Sequence, residues 1–563
     1  MLELVKKNIH MNRFKSNAST QVTLDDDFIV PDTMEDMARI ILSSGGIQIE
    51  SVKNQGERVM IKGKLDFQVL YRKTEGGFQT MAGHIPFEEP INVPGLEEKD
   101  YLGVTGELDD LTAGMINSRK ISAKAIVSLG VRVETLYDAE AAVDVTEGGA
   151  ASSENGWSTG EIDTSSWAAG SYDMDNKNSE KNTSAPAADT GADGMEILRR
   201  QADVAVITVR RKDTYRIKED ISLSNSKPSI EQILWSEIRL RGTTTKPLDG
   251  RIHVEGEVMI FAIYTGEGEN LPVQWLEESI PFAGEVELPE AVEGMVPSIS
   301  VRLVHKELDA KPDYDGEMRD LELDAVLELD MKLYEEQQIE LLGDFYSNDR
   351  ELELEFGEVC FDRLLSKNTG KCRVAEKMDL NSSDRVLQIC HNDAMIKIDE
   401  VEIHEDSLQI DGVLEVSLLY LTSDDSEPVK ADTEMVPFHY EAEAPGITPD
   451  SVYQLNTGLE QMTAVMTGSD SVEVKAVISL DLLVLQPVKE PVILGVKESP
   501  LDFEKLQELP GITGYIVQPG DCLWDIAKRF HTTRKQVIEA NGLAGEQIRP
   551  GDRLILVKDI AGT

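Results

Sequence analysis

The sequence predicts a mainly β fold: three tandem β-rich domains followed by a small βααβ domain. Three observations lead there. One strand-like segment recurs three times with the same features around it, a low-complexity stretch separates the first copy from the second, and residues 515–558 carry strand and helix signals at tight spacing. A chain of 563 residues holds about four units at roughly 150 residues per domain, so this division is a natural one.

The repeat is clearest in Ile61–Tyr71 (IKGKLDFQVLY), Val254–Tyr264 (VEGEVMIFAIY) and Ile410–Tyr420 (IDGVLEVSLLY), which match without a gap. Each has a glycine at its third position (Gly63, Gly256, Gly412), apolar residues at a period of two, and a closing tyrosine (Tyr71, Tyr264, Tyr420). A period of two is that of a half-buried strand. Downstream lie Ile85-Pro86-Phe87, Ile280-Pro281-Phe282 and Val436-Pro437-Phe438, then alternating strands ending at Leu129, Leu329 and Leu480. Upstream, segments from Met34, Ile230 and Val386 fit a strand or a helical turn. Domains are expected at 15–137, 198–362 and 363–495. Residues 138–197, rich in Ser, Gly, Ala, Asn and acids, are expected as a disordered linker, because they cannot bury enough surface to offset the entropy of ordering. Trp157, Trp167 and Tyr172 lie in it and read either as a docking motif or as isolated aromatics. A short linker is expected at 496–514.

The C-terminal segment is read element by element. Tyr515-Ile516-Val517 alternates as a strand, and Gln518-Pro519-Gly520-Asp521 forms a turn, with Asp521 placed to cap a helix. Leu523, Ile526, Ala527 and Phe530 fall on one face of that helix. Thr532-Thr533 introduces a second helix with Val537 and Ile538, ending at Asn541-Gly542. A turn from Ile548 to Asp552 leads into a last strand, Leu554 to Val557. Trp524 lies off the apolar stripe, leaving open whether it meets a partner or packs over the helix edge.

Composition narrows the function classes. Lys and Arg total 55 against 104 Asp and Glu, a net charge of −49 that repels phosphate backbones and anionic lipids, so neither nucleic-acid binding nor direct membrane insertion is expected. No signal-like segment opens the chain and nowhere do eighteen apolar residues run together, which predicts a cytoplasmic protein. Cys360, Cys372, Cys390 and Cys522 are too few and too far apart for a disulfide framework or the close C-x₂₋₄-C pairs of zinc sites. Reduced thiols and no metal are expected, and the sequons at Asn182 and Asn381 have no acceptor role in a chain that stays inside the cell. No P-loop, HExxH or GxSxG motif occurs, and no His, Ser, Cys or acidic pair recurs between the repeats. What recurs is Gly, Tyr, Pro-Phe and aliphatic alternation, the residues of turns and core, so the protein is expected to be no enzyme and to need no cofactor.

The repeats resemble the SPOCS domain of endospore-forming bacteria, through the G-x-(L/V)-x₄-(L/I)-Y strand and the later (I/V)-P-F. The segment YIVQPGDCLWDIAKRF…ANGL…IRPGDRLIL is similar to LysM. The LysM resemblance implies a groove, for a glycan with N-acetylglucosamine or for a protein partner, formed by Gly520, Asp521, Cys522, Leu523, Trp524, Asn541, Gly542, Leu543, Ile548 and Pro550. Cys522 departs from the family's usual Thr or Ser and so removes a hydroxyl from the groove rim. SPOCS repeats ending in LysM resemble the clostridial spore-coat morphogenetic proteins of the SipL type. That implies a mother-cell cytoplasmic protein at the forespore surface that helps anchor the spore coat by binding a SpoIVA-like coat morphogenetic ATPase. The alternative is a peptidoglycan-binding wall or cortex protein.

Overall fold

The computed structural model describes residues 2–147, 190–191, 195–268, 273–380, 385–424, 428–502, 504, 508 and 510–558. Three units of the same plan follow one another. The first holds β1 (Leu2–Ile29), β2 (Met37–Asn54), β3 (Arg58–Lys73), β4 (Phe78–Asn92), β5 (Tyr101–Asn117) and β6 (Lys120–Glu147). After a two-residue β7 (Thr190–Gly191), the second holds β8 (Met195–Ser222), β9 (Ile230–Leu248), β10 (Arg251–Gly266), β11 (Val273–Glu287), β12 (Val296–Pro312) and β13 (Met318–Ser347). The third holds β14 (Arg350–Asp379), β15 (Val386–His404), β16 (Ser407–Thr422), β17 (Val429–Glu443), β18 (Val452–Met466) and β19 (Ser471–Pro500). The upstream segments left open between strand and helical turn are the strands β2, β9 and β15.

Each unit stacks two antiparallel sheets. In the first, β2-β3-β4 faces β1-β6-β5, and the other units repeat the arrangement, with β7 added to the edge of β8. The period-two pattern makes this work: Ile61, Leu65, Phe67 and Val69 of β3 meet Ile121, Val127, Leu129 and Val131 of β6 in one core. The repeated glycine and the later Pro-Phe explain each other. Gly63, Gly256 and Gly412 lie directly across the ladder from Phe87, Phe282 and Phe438, whose rings cover the bare backbone. A Cβ on Gly63 would stand 2.5 Å from the Gln48 carbonyl and 2.7 Å from the Phe87 ring, and one on Gly412 would stand 2.4 Å from the Lys397 carbonyl. At Gly256 the nearest atoms are 3.1 Å away. Gly63→Ala and Gly412→Ala are therefore expected to cost about 1–3 kcal/mol and Gly256→Ala less, measured as shifts in the urea midpoint. The closing tyrosines are fully buried, and their hydroxyls donate to the Glu35 carbonyl and Gln79, to the Pro228 carbonyl, and to Asp432.

The outer strands run past the expected domain boundaries. β1 begins at Leu2 and pairs with β6 as far as Glu147, so the hairpin extends beyond 15 and 137 at both ends. Likewise β8 pairs with β13 to Met195↔Ser347, and β14 pairs with β19 to Arg350↔Pro500. Residues 138–147 and 195–197, expected as linker, are thus strand, residues 348–362 belong with the third unit, and 496–500 continue β19. Trp157, Trp167, Tyr172, Asn182 and Asn381 lie outside the described residues.

The three hairpin extensions pack on one another as a stalk. Ile9, Met11, Ala139, Ala141, Ala202, Val204, Ile339, Leu341, Phe361 and Val492 form one core drawn from all six strands, and a second layer holds Leu2, Ala142, Val145, Met195, Ile197, Leu342, Phe345 and Ile493. Equivalent positions meet there, which places the units around a common axis. Each hairpin has a register shift at Lys15, Thr208 or Leu365 and another at Val143, Gly343 or Leu494. These matched bulges bend and twist each hairpin at equivalent points.

The units also meet through their smaller sheets. Leu70, Ile263 and Leu419, each preceding its repeat's tyrosine, share a cluster with Trp235, Phe261 and Cys390. Register places Leu42, Trp235 and His391 across from these three, and Ser44, Glu237 and Asp393 two residues further on. Residues of all three units line a cavity of about 480 Å³ here. His391 stacks on Phe261 at 4.0 Å between centroids, and its two ring nitrogens stand 3.6 Å from Glu237 and 3.6 Å from Glu277, an ion-pair distance. Burial works to lower its pKa, but the two carboxylates prevail and raise it to about 9. A histidine pKa raised on folding gives stability that is complete below its ordinary value of 6.5 and lost as pH rises through about 9. The stability difference between wild type and His391→Gln is accordingly expected to shrink from pH 6 to pH 9.5, followed by urea unfolding.

Candidate functional site

The last unit is a two-stranded sheet, β20 (Ile512–Ile516) with β21 (Arg553–Val557), covered by α1 (Leu523–Arg529) and α2 (Arg534–Asn541). Leu523, Ile526 and Ala527 are buried and Phe530 packs on them, as the helical spacing predicts. Thr533 caps α2 in a reciprocal box with Gln536, and Gly542 ends it in the left-handed region at φ 62°.

The ten residues expected at a groove fall into three groups. Gly520, Cys522, Gly542 and Pro550 are exposed on the loops 518–522 and 542–550. Leu523, Leu543 and Ile548 pack into one core beneath these loops. The other three have structural tasks. Asp521 accepts hydrogen bonds from the Gln518 N–H (2.8 Å) and the Tyr515 hydroxyl (2.7 Å), which hold its carboxyl below the usual range. It fastens the turn and does not cap the helix. The cap is Cys522, whose Sγ accepts from the Asp525 N–H at 3.4 Å and donates to the Asp525 carboxylate at 3.0 Å. Burial first, and then Asp525, push this thiol's pKa up, so it is kept in the protonated form. Asn541 holds α2 to β21, donating to the Ile555 carbonyl at 2.8 Å and accepting from its N–H at 2.7 Å.

Trp524 is turned away from the loops. It is 5% exposed and covered by the stalk, where its Nε1–H donates to Asp344 at 2.8 Å and the Tyr346 ring meets it edge-on at 5.0 Å. Lys528 binds the same Asp344 carboxylate at 2.7 and 2.8 Å, and the Tyr346 hydroxyl donates to the Thr532 carbonyl at 2.8 Å. Arg534 lies 4.9 Å over the Trp524 ring and pairs with Glu196 at 2.9 Å, both side chains being almost wholly buried. The second unit's hairpin end thus supplies Asp344, Tyr346, Glu196 and Leu198 to this module's core and rim. Sequence reasoning missed these partners, because a surface Asp or Tyr 180 residues away gives no local signal.

Comparison with protein families accounts for both parts of the chain. The SipL, SPOCS domain model matches residues 36–116, 229–311 and 385–467, which span the second to fifth strands of each unit and leave out the stalk hairpins. The LysM domain model matches residues 515–557. Neither a curated protein nor a solved structure matches the chain. SPOCS and LysM are binding-type domains without catalytic chemistry, and together they fit a sporulation-related, peptidoglycan-binding protein. The chain therefore carries three copies of the SPOCS domain, joined through a shared stalk to a C-terminal LysM domain.

Proposed function

We propose that this protein is a non-enzymatic scaffold of the spore envelope, which helps assemble and anchor the coat from the mother-cell cytoplasm at the forespore surface. In this reading it holds a SpoIVA-like coat morphogenetic ATPase, partly through LysM. The observation that carries the reading is what the three units have in common: a covered glycine, a buried tyrosine and shared cores that join them into one body with LysM. Such a body presents binding surfaces at fixed distances from one another. Deleting the protein in a sporulating host is expected to leave coat detached from forespores, seen by electron microscopy, and normal coat attachment in the deletion strain would sink the reading.

A glycan reading is favoured by one feature: the loops bearing Gly520, Cys522, Gly542 and Pro550 stay open while Trp524 is covered. It predicts that the full chain sediments with purified peptidoglycan. Absence from the pellet counts against it.

A further inference from the structure

The three junctions between units use equivalent positions differently. Leu129, Leu329 and Leu480 occupy matching places in β6, β13 and β19, so Arg132, Lys332 and Leu483 correspond, as do Glu134, Tyr334 and Leu485. By the same register Asn12, Ala205 and Asp362 correspond on the paired strands. Between the first two units, Glu134 is held by Lys332 at 2.8 Å and Arg210 at 2.6 Å, and the Asn12 amide donates to the same carboxylate at 3.2 Å. Between the second and third, Tyr334, Ala205 and Leu483 pack into an apolar cluster with Leu485.

The remaining junction, between the third unit and the first, has the cation without the acid. Arg132 stands where Lys332 does, but the counterpart of Glu134 is Leu485, and both line a cavity of about 600 Å³ between the units. Arg132 gives its Nε–H to Glu134 at 2.8 Å, while its Nη2 is buried with no hydrogen-bond partner among the described residues. Arg13 and Lys489 line the same cavity and have no ion-pair partner among the described residues. With Arg210 and Lys332, which also hold Glu134, five cations stand against three acids, Glu134, Asp362 and Asp450.

Asp362 takes the place of Asn12. Its carboxyl makes no hydrogen bond or ion pair among the described residues, and burial raises its pKa to about 6 although Arg13 works to lower it. The neighbouring Tyr137 hydroxyl is turned away to the Cys360 carbonyl at 3.0 Å. Once protonated, Asp362 offers a donor where Asn12 offers its amide.

We propose that this cavity binds a small organic acid, whose carboxylate takes the place that Glu134 holds in the first junction. It accepts from Arg132 Nη2 and from a protonated Asp362, with Arg13 and Lys489 beside it, and its carbon chain lies along Val452, Leu485 and Pro487. This site goes beyond the scaffold reading and does not rest on it. Because the bound form carries a proton on Asp362, affinity is full below about pH 6 and falls about tenfold per pH unit above it. Of the other titratable groups in the cavity, Glu134 stays ionised and Tyr137, at about 12, and Cys360 stay protonated around neutral pH, while Asp450 is exposed.

The test titrates the full-length protein with glutarate, which carries the carboxylate of a glutamate side chain, by isothermal titration calorimetry at pH 6.0 and 7.5 and fixed ionic strength. Wild type is expected to bind about tenfold more tightly at pH 6.0, with uptake of a proton. Asp362→Asn, which makes the donor permanent, is expected to bind at pH 7.5 as tightly as wild type does at pH 6.0 and to lose the pH dependence. Arg13→Gln, at an exposed side chain, should weaken binding at both pH values. Leu485→Glu supplies the acid from within and should abolish binding; should it not fold, the other two variants decide. No binding by wild type at pH 6.0 overturns the proposal, as does Asp362→Asn binding no better than wild type at pH 7.5. Phosphate or chloride displacing glutarate at equal concentration would show only a general pull on anions, and overturns it too.

Discussion

Replacing Glu134 with alanine is expected to destabilise the protein by about 3–5 kcal/mol, because it strips the anion from a buried cluster of cations. Glu134 is 2% exposed on β6. It accepts from Arg132 Nε at 2.8 Å and Asn12 Nδ2 at 3.2 Å within its own unit, and from Arg210 Nη1 at 2.6 Å and Lys332 Nζ at 2.8 Å on the second unit. Burial works to raise its pKa, but Lys332, Arg210 and Arg132 together hold it far below the usual carboxylate range. Because the folded pKa is depressed, the contribution is present above the ordinary value of 4.5 and is lost as pH falls through the folded one. Wild type and Glu134→Ala should therefore differ strongly in urea midpoint at pH 7 and converge in acid. Glu134→Gln, which keeps hydrogen-bonding capacity without the charge, should fall between them. A midpoint unchanged at pH 7 would show that the junction between the first two units does not depend on this cluster.

Truncating Trp524 to alanine is expected to cost about 3–5 kcal/mol, most of it from the space left between α1 and the stalk. The loss also leaves Arg534 without the ring it covers and Asp344 without one of its donors. Limited proteolysis distinguishes the consequences. Cleavage between residues 501 and 511 should accelerate in Trp524→Ala, as the module parts from the stalk. Tyr346→Ala removes a stalk residue and leaves every LysM residue in place, so it should also accelerate cleavage if docking is the cause. Protection of the LysM fragment in Tyr346→Ala, with its loss in Trp524→Ala, would separate undocking from unfolding.

Much of each unit was legible because its residues solve a local problem. The period of two in β3, β10 and β16 is imposed by a sheet with one buried face, and the glycine and Phe signals lie on adjacent, paired strands. The stalk was not legible. Val5-Lys6-Lys7-Asn8-Ile9-His10-Met11 reads as a polar terminus, since Ile9 and Met11 find their apolar neighbours on strands 130 to 480 residues away. The site divides in the same way. The LysM core and both ends of α2 were readable from spacing, yet the covering of Trp524 depends on Tyr346 and Asp344, and the cap of α1 passes from Asp521 to Cys522 because Asp521 is already bound to Tyr515 and Gln518.

Joining the three units in one chain has a consequence for the axis where they meet. In an assembly of three identical subunits, any residue on the axis appears three times, so a buried Glu or His there would face two copies of its own charge, at a cost that grows as water is excluded. Here the corresponding positions hold Ser44, Glu237 and Asp393, and beside them Leu42, Trp235 and His391. Covalent linkage frees each position to differ, so one unit's acid can answer another's base, as Asp393 does for Arg239 at 2.9 Å. The same inequality labels the units, so each can dock only in its own place around the ring.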